Sequence, residues 1–129
     1  MLGNAREYGV EYFGVPGTTL TDSKQVLALV RETSPPACIL AACGVHPYHA
    51  AEDPLDSPEQ VELLRGLISD SACRAVGECG LDYSDGFPPR EIQLRCFQQQ
   101  LALALEIKKP LYLHVREAHE DFMGMMAKH

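Results

Sequence analysis

Residues 74–83 read Arg74-Ala75-Val76-Gly77-Glu78-Cys79-Gly80-Leu81-Asp82-Tyr83. Arg74 to Cys79 is predicted as a short strand, with turn material from Asp82 to Gly86 behind it. One residue breaks the pattern. A carboxylate inside an otherwise apolar strand is costly to bury unpaired, so Glu78 calls for a cation, a metal or strong hydrogen bonds. Gly77 and Gly80 leave room for something to approach the backbone. Two readings stand here: a metal-binding or catalytic carboxylate, and a structural salt bridge to an arginine on a neighbouring strand.

The flanking sequence repeats the same plan. Upstream, Cys38 to Val45 is an unbroken apolar run that suits a strand buried on both faces, and His46-Pro47 ends it. Gly9 to Val15 is an earlier run, closed by Pro16-Gly17. Downstream, Leu111 to Val115 is the fourth strand, with Tyr112, His114 and Arg116 on one side. Helical spacing fills the intervals. Thr18 to Thr33 carries Val26, Leu27 and Val30 and is stopped by Ser34-Pro35-Pro36. Ser57, Pro58 and Gln60 form a capping box ahead of Val61, Leu64, Leu67 and Ile68. Pro88-Pro89 opens a long helix to about Lys108, with Leu94, Phe97, Leu101, Ala104 and Leu105 as its apolar face. Lys108 and Lys109 are placed in its last turn, where cations offset the helix dipole. Ala118 to Lys128 closes the chain with Phe122, Met125 and Met126 inward. The order βαβαβαβα implies an α/β fold with a parallel sheet.

Composition narrows the classes. The chain has 129 residues, a net charge of −7, 46% hydrophobic and 22% charged residues, which excludes disordered and collagen-like chains. No apolar run reaches the ~20 residues of a membrane span. The first residues lack the layout of a signal peptide. Five cysteines without a CxxC pair fit a reduced compartment, the cytoplasm, with the nucleus as the alternative. The acidic balance argues against a protein that coats duplexes non-specifically.

The polar residues gather at predicted strand ends: His46 and His49, Glu78 and Asp82, His114 and Arg116. In parallel α/β folds that edge is where sites are built. Cys43, His46 and His49 have a zinc-like spacing, but Pro47 interrupts it and no fourth ligand lies nearby in the sequence, so it reads as coincidental. No phosphate-binding glycine loop and no GxSxG elbow occurs.

The segments Cys43-Gly44-Val45-His46-Pro47, Ala75 to Tyr83 and Leu113-His114-Val115-Arg116, in this order, resemble the TatD family of metal-dependent deoxyribonucleases. Gln93 to Leu101, Lys109-Pro110 and Ala118 to Phe122 are similar to the same family. The resemblance implies an amidohydrolase-like TIM barrel that hydrolyses phosphodiester bonds in DNA with divalent metals (Mg, Mn or Zn). It implies that Glu78 is the catalytic, metal-bridging carboxylate and His114 a metal ligand. By the same resemblance His46 and Arg116 contact the substrate phosphate, and Asp82 shapes its loop. A TIM barrel needs about 250 residues. Residues 1–129 are therefore expected to be a partial TatD-like hydrolase domain, half of a TIM barrel built from four βα units, approximately the second to the fifth. The family's H-x-H pair is absent from the sequence, so weak or no activity is expected of the chain alone. Two alternatives accompany this reading: a related hydrolase acting on another substrate, and a non-catalytic half-barrel that self-associates through its exposed edges.

Overall fold

A computed structural model describes residues 2–33 and 38–128. Its elements are α1 (Leu2–Glu7), β1 (Phe13–Pro16), α2 (Leu20–Glu32), β2 (Ile39–Cys43), a 3₁₀ turn (Pro47–His49), α3 (Pro58–Ser69), β3 (Cys73–Asp82), α4 (Arg90–Ile107), β4 (Leu111–Arg116) and α5 (His119–Met126). The four strands pair in chain order, β1-β2-β3-β4, and every pairing is parallel. Each predicted strand is present. The first is shorter than expected, because Tyr8, Val10 and Tyr12 are exposed and Gly9 turns the chain with φ 82°. Helix α1 was not anticipated. The expected stop at Ser34-Pro35-Pro36 lies outside the described residues.

Most of the core lies between the sheet and helices α2, α3 and α4. Leu27, Val30, Ala41, Leu64, Ile68, Val76 and Leu103 meet there. A smaller cluster joins Cys79 and Leu81 of β3 to Phe97 and Leu101 of α4 and Met125 of α5. Phe97 and Phe122 stack with ring centroids 5.9 Å apart. The inward face expected for the last helix is therefore correct.

Three details of the helices differ from expectation. Ser57 Oγ accepts from the Gln60 amide at 3.2 Å, but Gln60 Oε1 is buried without a partner, so only half of the capping box forms. Leu105 is 52% exposed; the buried stripe of α4 runs through Gln93, Cys96, Phe97, Gln100, Leu101, Leu103 and Ala104. Lys108 is the left-handed C-cap, and no basic residue stands in the last turn. Lys109 has left the helix. Its ammonium donates to the carbonyls of Ile68 (2.5 Å), Asp70 (3.0 Å) and Cys73 (2.7 Å), tying down the link from α3 to β3.

The two buried glutamines position strand ends. Gln100 Oε1 accepts from the Val45 amide at 2.8 Å and Nε2 donates to the Val45 carbonyl at 2.9 Å. Gln93 does the same for Asp82, at 2.8 and 2.6 Å. Val45 lies just past β2 and Asp82 is the last residue of β3, so the glutamines satisfy backbone groups where the ladders end. Glycines solve a different problem between β3 and β4. A Cβ on Gly80 would overlap the carbonyl oxygen of His114, and one on Gly77 that of Tyr112, while their φ angles are 143° and 141°.

These contacts give three stability predictions. Gly80→Ala should lower the unfolding free energy by at least ~2 kcal/mol in urea titrations, because it adds both strain and overlap. Gly66→Ala, with open space around it on α3, should raise it by about 0.5–1 kcal/mol. Gln100→Leu should cost about 2–4 kcal/mol by orphaning two buried backbone groups, whereas exposed Gln99→Leu should stay within about 0.5 kcal/mol of wild type.

Candidate functional site

Three adjacent strands deliver one side chain each to the same place. His46 follows β2 directly after the residue gripped by Gln100, and its amide donates to the Thr18 carbonyl at 2.9 Å. Glu78 lies within β3, and its amide donates to the Gly17 carbonyl at 3.2 Å. His114 lies in β4, opposite Gly80 in the register. Glu78 Oε1 is 3.5 Å from His114 Nδ1 and 3.8 Å from His46 Nε2. The two imidazoles meet edge to face with centroids 4.4 Å apart, and Phe87 flanks both. The three side chains remain 15–26% exposed, so the cluster opens to solvent.

The second nitrogen of each imidazole is also engaged. His46 Nδ1 accepts from the Tyr48 amide at 3.1 Å. His114 Nε2 lies 2.7 Å from Asp82 Oδ2. Asp82 is fully buried, and its other oxygen accepts from both the amide and the hydroxyl of Ser84. Burial pushes the Asp82 carboxyl up, but the Ser84 and His114 hydrogen bonds outweigh it and hold the group below the usual carboxylate range. Burial, reinforced by neighbouring His114, lowers the pKa of His46; Glu78 opposes that shift.

Among the described residues, His46, Glu78 and His114 form the group of His, Cys, Asp and Glu side chains able to share a metal ion, their candidate ligand atoms all lying within 4.8 Å of one another. Nitrogen and carboxylate oxygen suit a divalent cation such as Zn or Mn. Arg116 is exposed at the end of β4, paired with Asp82 in the register and outside the cluster. The spacing of Cys43, His46 and His49 produces no common site. Cys43 is buried, with its thiol pKa raised by its hydrogen bond to Cys73 and by desolvation, and His49 contacts Glu52 at 3.2 Å. Tyr83 and Arg90 both bind Asp121, which joins the loop after β3 to α5.

Sequence reasoning left Gln93 and Gln100 unassigned and gave Asp82 only a loop-shaping role. The signal for the glutamines was their seven-residue spacing on the face that also holds Phe97. Nothing in the spacing of Asp82 and His114 announces their contact, which exists only once β3 and β4 pair.

The family of TatD-related DNases has a model that matches residues 1–129. A protein named 3'-5' ssDNA/RNA exonuclease TatD, from Erwinia tasmaniensis, is 42% identical over 126 residues, covering 98% of this chain and 47% of the relative. The protein of the same name from Erwinia amylovora is 41% identical over the same length. Among solved structures, the TatD homologue YJJV from Escherichia coli K12 superimposes with a TM-score of 0.84 at 30% identity, covering 98% of this chain and 48% of that one. A hydrolase of the TatD family from Entamoeba histolytica gives 0.86 at 22% identity and shows the fold. The chain spans about half the length of the curated relatives it matches, and its four parallel strands form the half-barrel expected. The chain belongs to the family of TatD-related DNases.

Proposed function

We propose that residues 1–129 are a partial hydrolase domain acting in metal-dependent hydrolysis of phosphodiester bonds in DNA. The observation that supports this most is the convergence of Glu78, His114 and His46 at neighbouring parallel strands. The donor chemistry fits a divalent cation. With the His114 proton on Nε2 toward Asp82, Nδ1 and Glu78 Oε1 are two acceptors facing each other at 3.5 Å, an arrangement that a cation satisfies. Glu78 and His114 would hold the ion, with Glu78 as the catalytic carboxylate. When bound, such an ion supplies charge neutralisation at the phosphate and a more acidic water.

The remaining side chains divide the substrate contacts. His46 Nδ1 is occupied as an acceptor, so its neutral ring carries the proton on Nε2 and donates to a phosphate oxygen. Exposed Arg116 offers a second, bidentate donor at the rim. The names of the relatives point to a single-stranded substrate. A net charge of −7 is compatible with this, because the phosphate is met locally and not by a basic surface. No helix among the described residues is long and apolar enough to cross a membrane. All five cysteines are buried and none forms a disulfide, which supports the cytoplasm; the comparisons lend the nucleus no support.

Two protein ligands leave a divalent ion largely hydrated and weakly held. Titration of the chain with Mn²⁺ should therefore show weak binding that Glu78→Gln removes, and hydrolysis of end-labelled single-stranded DNA should be slow or absent. Binding unchanged by Glu78→Gln overturns the metal assignment, and efficient Mn²⁺-dependent turnover overturns the expectation of weak activity.

A second reading concerns the edges of the sheet. β1 and β4 each lack an outer partner among the described strands, and Tyr112, Leu113 and Val115 of β4 are exposed. A second copy related by a twofold axis along the strands would pair each β4 with the other's β1, giving the eight parallel strands of a closed barrel. Sedimentation velocity should then show a concentration-dependent dimer weakened by Val115→Asp. A monomer at every concentration removes this reading.

A further inference from the structure

Asp82 is fully buried at the end of β3, and every polar atom it owns is committed. Its amide and carbonyl are taken by Gln93. Oδ1 accepts from the Ser84 amide at 3.0 Å and from the Ser84 hydroxyl. Among the described residues Oδ2 has a single partner, His114 Nε2 at 2.7 Å. The carboxylate is thus held at its backbone and at one oxygen, and the other oxygen is aimed at the imidazole.

A neutral imidazole has one proton and one lone pair, and an ionised carboxylate can only accept. A proton on Nε2 satisfies Asp82 and leaves the lone pair on Nδ1, the atom 3.5 Å from Glu78 Oε1. His46 is set the other way. The Tyr48 amide occupies its Nδ1 at 3.1 Å, so Nε2 carries the proton toward Glu78. Two imidazoles 4.4 Å apart therefore present unlike atoms to one carboxylate: a lone pair from His114 and an N–H from His46. Identical side chains acquire different roles from the groups behind them.

We propose that Asp82 is a positioning residue that fixes His114 in the Nε2–H tautomer and so makes Nδ1 the ligating atom. Only the identity of what that lone pair binds rests on the metal reading above. Ser84 and Gln93 support the same function by preventing the carboxylate from rotating or withdrawing. A ligand histidine whose far nitrogen is held by a carboxylate is pre-oriented and more basic, and loss of such support weakens metal affinity about 10–100-fold.

The test separates the tautomer from the metal. Long-range ¹H–¹⁵N correlation spectra of the metal-free chain at about pH 8, where an ordinary imidazole is neutral, report which nitrogen carries the proton. His114 should show Nε2 protonated and Nδ1 bare. In Asp82→Asn the side-chain amide can donate to Nε2, so the proton should move to Nδ1, and Mn²⁺ affinity should fall about 10–100-fold. Ser84→Ala should keep the wild-type tautomer with a smaller loss of affinity. A wild-type His114 protonated on Nδ1 or on both nitrogens overturns the proposal, as does Asp82→Asn retaining Nε2–H. The wild-type spectrum decides the matter even if Asp82→Asn does not fold. Mn²⁺ binding that survives Glu78→Gln, beside the expected tautomer, would remove the metal reading and leave this one standing.

Discussion

A carboxylate set into the interior of a parallel sheet has to be answered by positive or proton-donating groups, and the fold is arranged around that demand. Glu78 sits between Gly77 and Cys79, with Gly80 close behind, in the strand that both neighbours press against most closely. The glycines let β4 approach until a backbone carbonyl occupies the space a side chain would take. That approach brings His114 to Glu78, while the end of β2 brings His46. Partial burial of the carboxylate, compact β3–β4 pairing and convergence of the histidines are thus one packing event.

Much of this was legible from residue order. Alternating apolar runs and helical stripes imply parallel strands, and parallel strands place their C-terminal residues at one edge. Hence His46, Glu78 and His114 could be grouped before any distance was known. Burial was less legible. The β1 run GVEYFGV has the apolar content of a strand, yet its Val10 and Tyr12 face water. In α4, a stripe drawn through hydrophobic residues took in Leu105 and passed over the glutamines, because a buried amide with two backbone partners looks like a surface residue in a sequence. Lys109 resembled a dipole-balancing cation, but the carbonyls it serves belong to Ile68, Asp70 and Cys73, which are distant in the chain. Arg116 shows the opposite limit: alternation put it on the face of His114, but two further residues along the strand carry it out to the rim.

The electrostatics are equally local. The chain is acidic overall, yet the cluster pairs one carboxylate with two imidazoles and places a guanidinium at the rim. A few carboxylates elsewhere have cationic partners, as Asp121 with Arg90 and both Glu62 and Glu106 with Arg65. Exposed pairs of this kind contribute little to stability, so the charge balance bears on what approaches the site more than on whether the chain folds.

The paired glutamines of α4 make the helix a measuring rod. Gln93 and Gln100 are seven residues apart, which is about 10.5 Å along a helix axis. The ends of β2 and β3 are therefore gauged against covalent geometry that scarcely deforms, and the connecting loops have no part in setting the distance. The loops add local contacts to the histidines through Tyr48, Ser84 and Phe87, but the spacing of the two strand ends is carried by the helix. One residue inserted between the glutamines would rotate one of them off the buried face and put the two strand ends out of step. Variation should accordingly be expensive in the spacing of a helix that never touches the site, and cheaper at loop positions that touch neither histidine nor Asp82.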